Sequence, residues 1–184
     1  MTRHVRRPSA SSRRLGCFLL LAGALGAREV FAQDAVVPSA TSRLRALDEK
    51  SAALLQAGNA RSATFRRLTQ VIERSDLVVY VQTHQLNLPG QLQFVSATPG
   101  GRYLRVSVRV PGLDNDLLPW LAHELWHAVE IAGAPEIKDG VSLVRYYERL
   151  HGGFRAGGTA KMVRMETVQA QKIRTMVSSE LHGF

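Results

Sequence analysis

Apolar residues recur along this chain with two periods, and the switches between them divide it into elements. From residue 41 to about 57 the pattern is helical, with Leu44, Leu47, Leu54 and Leu55 on the apolar side and Asp48, Glu49 and Lys50 outward. Gly58-Asn59 reads as a break. Phe65, Leu68, Val71 and Ile72 then predict a second helix ending near Arg74. The run Leu77-Val78-Val79-Tyr80-Val81 predicts a buried strand, and residues 91–97 a second one after the turn at Pro89-Gly90. Thr98-Pro99-Gly100-Gly101 is a turn signal. Residues 103–110 alternate: Leu104, Val106, Val108 and Val110 point one way, Tyr103, Arg105, Ser107 and Arg109 the other. Helical spacing returns from residue 117 to about 132, with Asp114 and Asp116 as N-cap candidates, Pro119 in the first turn, and Gly133 and Pro135 as stops. A short helix is expected over about 141–150. The pairs Gly152-Gly153 and Gly157-Gly158 flank a loop around Phe154, and Thr159 caps a last helix over about 160–181. The class this predicts is α+β: a small antiparallel or mixed sheet packed on helix 117–132, with further helices at both ends.

That helix carries the chain's most specific chemistry, His123-Glu124-Leu125-Trp126-His127. Four residues apart on a helix, the two imidazoles point the same way and can reach one metal ion. Glu124 lies one step round, where it can take a proton from water at that ion. From the chain's own composition an H-E-x-x-H stretch arises by chance about 1% of the time. The apolar neighbours Leu117, Leu118, Leu121, Leu125 and Val129 favour the metal reading further, because buried polar groups need a partner. A di-iron carboxylate site is set aside, since the motif supplies one E-x-x-H pair where such sites use two.

A catalytic zinc site needs a third protein ligand. Glu166 is the choice, on an apolar stripe with Val163, Ala170, Ile173, Val177 and Leu181 of the last predicted helix, where a carboxylate is costly unless paired or metal-bound. A salt bridge to a buried Arg is the plainer account of it. Glu130, on the histidine face, is expected to orient an imidazole N–H from behind. An exposed helix carboxylate is the alternative for that residue. Glu148, beside the Leu143/Tyr147/Leu150 stripe, is the runner-up ligand.

The first 32 residues have the pattern of an export signal: Arg3, Arg6, Arg7, Arg13 and Arg14, then the apolar stretch 15–26, then Val30-Phe31-Ala32 as a cleavage site before Gln33. The predicted organisation is a signal peptide over 1–32, a flexible lead-in over 33–42 and one domain over 43–184. The apolar stretch is too short for a comfortable membrane span, so none is expected after cleavage. Destination is the periplasm or the exterior. Removing the leader changes the charge. The chain's formal +9 falls to +4, with 18 basic against 14 acidic residues, and the remaining Arg are scattered without interleaved aromatics. Nucleic acid is therefore not an expected partner. Cys17, the one cysteine, goes with the leader, which excludes disulfides, thiolate ligands and a Cys nucleophile from the mature chain.

On these residues the chain resembles the gluzincin group of zincin metallopeptidases, and similarly small exported bacterial proteins with an H-E-L-x-H-x-x-E-I-A stretch, here 123–132. The resemblance implies a zincin-like domain with His123, His127 and Glu166 as Zn2+ ligands and Glu124 as general base. It also implies that an exposed strand, here 103–110, borders the cleft, and that His151, Tyr146 or Tyr147 stabilises the oxyanion. Where many gluzincins carry an Asp one turn after the ligand Glu, this chain has Ala170. The expected function is zinc-dependent hydrolysis of peptide bonds in a peptide or protein substrate. The alternative is a non-catalytic metal-binding or structural zincin-like domain.

Overall fold

The computed structural model describes residues 42–150 and 166–183. The leader, Thr159, His151 and the Gly-pair loop lie outside the described residues. Within them the chain is α+β, with a four-stranded mixed sheet and five helices. The elements are β1 (Leu44–Ala46), α1 (Glu49–Arg61), α2 (Ala63–Glu73), β2 (Leu77–His84), β3 (Gly90–Thr98), β4 (Gly101–Arg109), α3 (Asp114–Ala132), α4 (Gly140–Leu150) and α5 (Val168–His182).

Sheet order is β1-β2-β4-β3. β1, β2 and β4 run parallel, and β3 returns antiparallel to β4 through a hairpin. The helical pair α1–α2 makes the crossover that parallel β1 and β2 require. Leu77, Val79, Val81, Leu104, Val106 and Val108 are fully buried, as the alternation in β4 predicts, and form one core with Leu118, Leu121 and Leu125 of α3. The expectation that 103–110 is the exposed strand is overturned: β4 is paired on both sides, and the edge on that side of the sheet is β3.

The start of the chain also differs from its pattern. Residues 44–46 form β1, because Asp48 opens α1 with a capping box, accepting from Ser51 N while Asp48 N donates to Ser51 Oγ. The same carboxylate accepts from Thr83 N and Oγ1, tying α1 to the end of β2. Gly58 is not a break. It sits inside α1 where a Cβ would come within 2.7 Å of the Phe65 ring, so it serves close helix packing, and the break falls at Ser62.

α3 begins one turn earlier than expected, with Leu113 as N-cap and Asp114 and Asp116 inside its first turn, where acidic side chains suit the helix dipole. Pro119 therefore lies beyond the first turn, at a cost of one backbone hydrogen bond. The other end of α3 is held by Arg102. This residue is buried, pairs with both oxygens of Asp76, and donates from Nη1 to the carbonyls of Ile131, Ala134 and Ile137. α5 packs along α3, with the Arg174 guanidinium 4.3 Å over the Trp120 ring. No helix among the described residues is long and apolar enough to cross a membrane.

Candidate active site

His123, Glu124 and His127 are all buried in the middle of α3, held there by its packing against β3, β4 and α5. The helix brings the two imidazoles together with Nε2 facing Nε2 at 3.3 Å. Two nitrogen donors on one tetrahedral zinc, each about 2.0–2.1 Å from it, lie about 3.3 Å apart, so the pair has the span that such an ion requires.

Glu130 fixes the far side of His127. Its Oε2 accepts from His127 Nδ1 at 2.8 Å and from the Tyr147 hydroxyl at 2.9 Å. Its Oε1 accepts from Trp126 Nε1 at 2.8 Å and from Thr167 Oγ1 at 2.9 Å. Burial works to raise the pKa of Glu130, but the bonds from His127, Tyr147 and Thr167 outweigh it and hold the carboxyl below its ordinary range. An ionised Glu130 keeps the proton of His127 on Nδ1, so the Nε2 lone pair faces His123.

His123 has no such support. Its Nδ1 is buried without a hydrogen-bond partner among the described residues. The backbone of Ala170 lies close enough to favour the charged form slightly, without reaching hydrogen-bond geometry. Burial foremost, then His127 and Arg174, push the pKa of His123 down, against a rise from Glu166.

Glu124 makes no hydrogen bond among the described residues and packs on Gly90, where a Cβ would lie 2.6 Å from Oε1. Burial lifts its pKa to about 7, with Glu166 adding to the rise and His127 opposing it. A carboxyl near neutrality is matched to proton transfer at neutral pH.

Glu166 is not on a helix stripe. α5 starts at Val168, capped by the Thr167 hydroxyl, and Glu166 precedes it with 47% of its side chain exposed. Its Oε1 nevertheless comes within 3.7 Å of His123 Nε2. Ala170 and Val177 of the predicted stripe are buried. Among the described residues no ready-made cluster of three or more His, Cys, Asp or Glu is arranged to hold an ion. The histidine pair supplies two donors, and Glu166 is the carboxylate within reach. The facing Nε2 atoms and a nearby carboxylate oxygen are donor types that zinc takes, while the orphaned Nδ1 of His123 lies on the other side of its ring.

Tyr147 is fully buried with its hydroxyl 3.2 Å from His127 Nδ1, behind the imidazole and away from the facing Nε2 atoms. An oxyanion role for it is thereby corrected to a supporting one. Tyr146 stacks edge-on against it. Glu148 is exposed on α4 and makes no contact with either histidine among the described residues, so Glu166 is preferred over it. A second E-x-x-H does occur, at Glu148-Arg149-Leu150-His151. A di-iron site would need both halves of that pair at the first; Glu148 is exposed and His151 lies outside the described residues. Thr167, which no motif marks, joins the site through Glu130; an E-T pair before a helical run was its faint signal, as a capping threonine.

Beside α3 and α5 lies an open cleft of about 390 Å³ lined by Asp116, Trp120, Arg174 and His182. No family model, curated protein or solved structure matches the chain.

Proposed function

We propose that the protein is an exported, zincin-like zinc metallopeptidase that hydrolyses peptide bonds. The observation that carries this is the pair of facing Nε2 atoms at 3.3 Å with a buried carboxyl of pKa about 7 one residue along. His123, His127 and Glu166 would hold the ion. Zinc, when bound, supplies Lewis acidity, polarising a carbonyl and making water more acidic. Glu124, ionised above about pH 7, accepts a proton from the attacking water and returns it to the leaving amine. Burial keeps that carboxyl basic enough to do so. Among the described residues β3 is an edge strand that starts at Gly90, against Glu124, so an extended peptide pairing there would pass the base.

The second reading is a metal-binding domain without catalysis. It is favoured by the supporting position of Tyr147, which leaves no oxyanion donor assigned among the described residues.

Two variants separate the readings. Zinc per chain is measured in the purified protein and in Glu124→Gln and His123→Ala, together with hydrolysis of a denatured protein substrate. The proposal expects one zinc per chain, lost in His123→Ala and kept in Glu124→Gln, whose hydrolysis falls about 10²–10⁴-fold. Zinc without any hydrolysis in the unaltered protein favours the second reading. No zinc after metal is added back ends both.

A further inference from the structure

We infer that Thr167 is a positioning residue for Glu166, its hydroxyl clasped to Glu130 so that the neighbouring carboxylate is set against the histidine pair. This rests on the reading of His123, His127 and Glu166 as one ligand set.

Glu166 cannot hold itself there. It is about half exposed, sits outside α5, and makes no hydrogen bond among the described residues; its one charged contact is the 3.7 Å approach to His123. A long side chain at such a place loses its direction unless the backbone beneath it is fixed. The fixed point is the next residue. Thr167 is buried, its backbone is extended (φ −118°, ψ 149°), and its hydroxyl has two partners. Oγ1 accepts from Ala170 N at 3.1 Å, which starts α5, and donates to Glu130 Oε1 at 2.9 Å, which ties that start to α3.

The other oxygen of Glu130 accepts from His127 Nδ1 at 2.8 Å. One carboxylate therefore orients a histidine directly and, through Thr167, the segment that brings Glu166 to the other histidine. The groups come from α3 and the start of α5, far apart in sequence, and among the described residues this clasp is the side-chain hydrogen bond that joins them at the site. Partners behind metal ligands commonly tune affinity by about 10–100-fold, the effect expected here.

The capping and clasping roles of the hydroxyl are separable. Thr167→Val loses both. Thr167→Asp keeps an acceptor for Ala170 N but has no proton for Glu130. Thr167→Ser keeps both. Zinc affinity is measured on the purified chain by competition with a chromophoric chelator, alongside thermal unfolding of the metal-free chain. We expect Thr167→Val and Thr167→Asp to bind zinc about 10–100-fold more weakly and Thr167→Ser to stay within about threefold. In a Glu166→Ala background, Thr167→Val should weaken binding no further, because the hydroxyl acts through Glu166. A merely structural cap would show in the unfolding temperature, be restored by Asp, and leave affinity unmoved. An unaltered protein that binds zinc while Thr167→Asp binds it equally well overturns the clasp alone. An equal loss with and without Glu166 overturns it too. An unaltered protein that takes up no zinc overturns the ligand reading on which the clasp rests.

Discussion

At the scale of single residues the site is a set of polar groups placed in an apolar helix, each either given a partner or left wanting one. Glu130 collects four donors and is held ionised. Glu124 collects none among the described residues, and burial lifts its pKa to about 7. That difference has a consequence for stability. In the metal-free protein an ordinary Glu of the unfolded chain loses its proton near 4.5, while folded Glu124 keeps it until about pH 7. Between those values the folded state binds more protons, so the contribution of Glu124 to stability falls as pH rises through the window and is flat above it. Glu124→Gln should match the unaltered metal-free protein near pH 4 and exceed it above pH 7, by up to about 3 kcal/mol. Urea unfolding at pH 4, 6 and 8 in the presence of chelator checks this; a difference that does not grow with pH refutes it. The histidine pair and Glu124 were legible in the sequence because helical spacing alone decides which side chains share a face. Thr167 was not, because its role depends on Glu130, 37 positions away.

At the scale of elements, α3 is a motif helix whose two ends are unequal. Its start has acidic residues and a Lys50–Asp114 pair but no side-chain cap, and its finish is gripped by Arg102. Three carbonyls share one guanidinium nitrogen, while the rest of the fork is bound to Asp76. Arg102→Met would leave those carbonyls buried without partners, at about 3 kcal/mol. Arg102→Lys recovers only part, since a point charge cannot serve Asp76 and the helix end together. A loss below about 1 kcal/mol in urea unfolding would show that water replaces the guanidinium. β3 contributes by a lack of bulk instead. Gly90→Ala puts a Cβ 2.6 Å from Glu124 Oε1 and 2.8 Å from its Cγ, so the whole buried side chain must shift. Hydrolysis should fall at least about 10-fold while zinc affinity hardly changes, because the base is displaced and the histidines are not, and the overpacking costs about 1–3 kcal/mol of stability. Equal hydrolysis would mean that Glu124 works from another rotamer. The alternating residues of β4 were read correctly from the sequence. Its place in the sheet was not, because strand order is set by pairings that a period of two does not encode. The start of α1 was misread for a related reason: Leu44 fits a helical spacing as well as a strand, and the Asp48–Ser51 capping box decides the boundary.

At the scale of the whole molecule, what matters is how α5 is kept beside α3, because the segment entering α5 carries Glu166. One end is held by the Thr167–Glu130 bond, and the middle by Arg174 over Trp120. The far end is held by Glu180, which accepts from Ser62 Oγ, Thr64 N and Thr64 Oγ1, so it caps α2 from across the domain. Burial works to raise the pKa of that carboxyl, yet the bonds from Ser62 and Thr64 hold it below its ordinary value. Its contribution is therefore present at neutral pH and is lost as pH falls through its depressed pKa. None of this was legible in the sequence, where Glu180 is one charge in a polar stretch and its partners lie more than a hundred residues earlier. Glu180→Ala frees the last turns of α5 and leaves the α2 start without its acceptor, for a loss of about 1–3 kcal/mol. Hydrogen exchange locates the effect. Protection should drop in the last turns of α5 and at the start of α2, while β2 and β4 keep theirs, since local opening follows the contacts removed. If α5 instead depended on Thr167 and Arg174 alone, exchange in its last turns would match that of the unaltered protein, and the two-ended attachment of the helix that delivers Glu166 would be refuted.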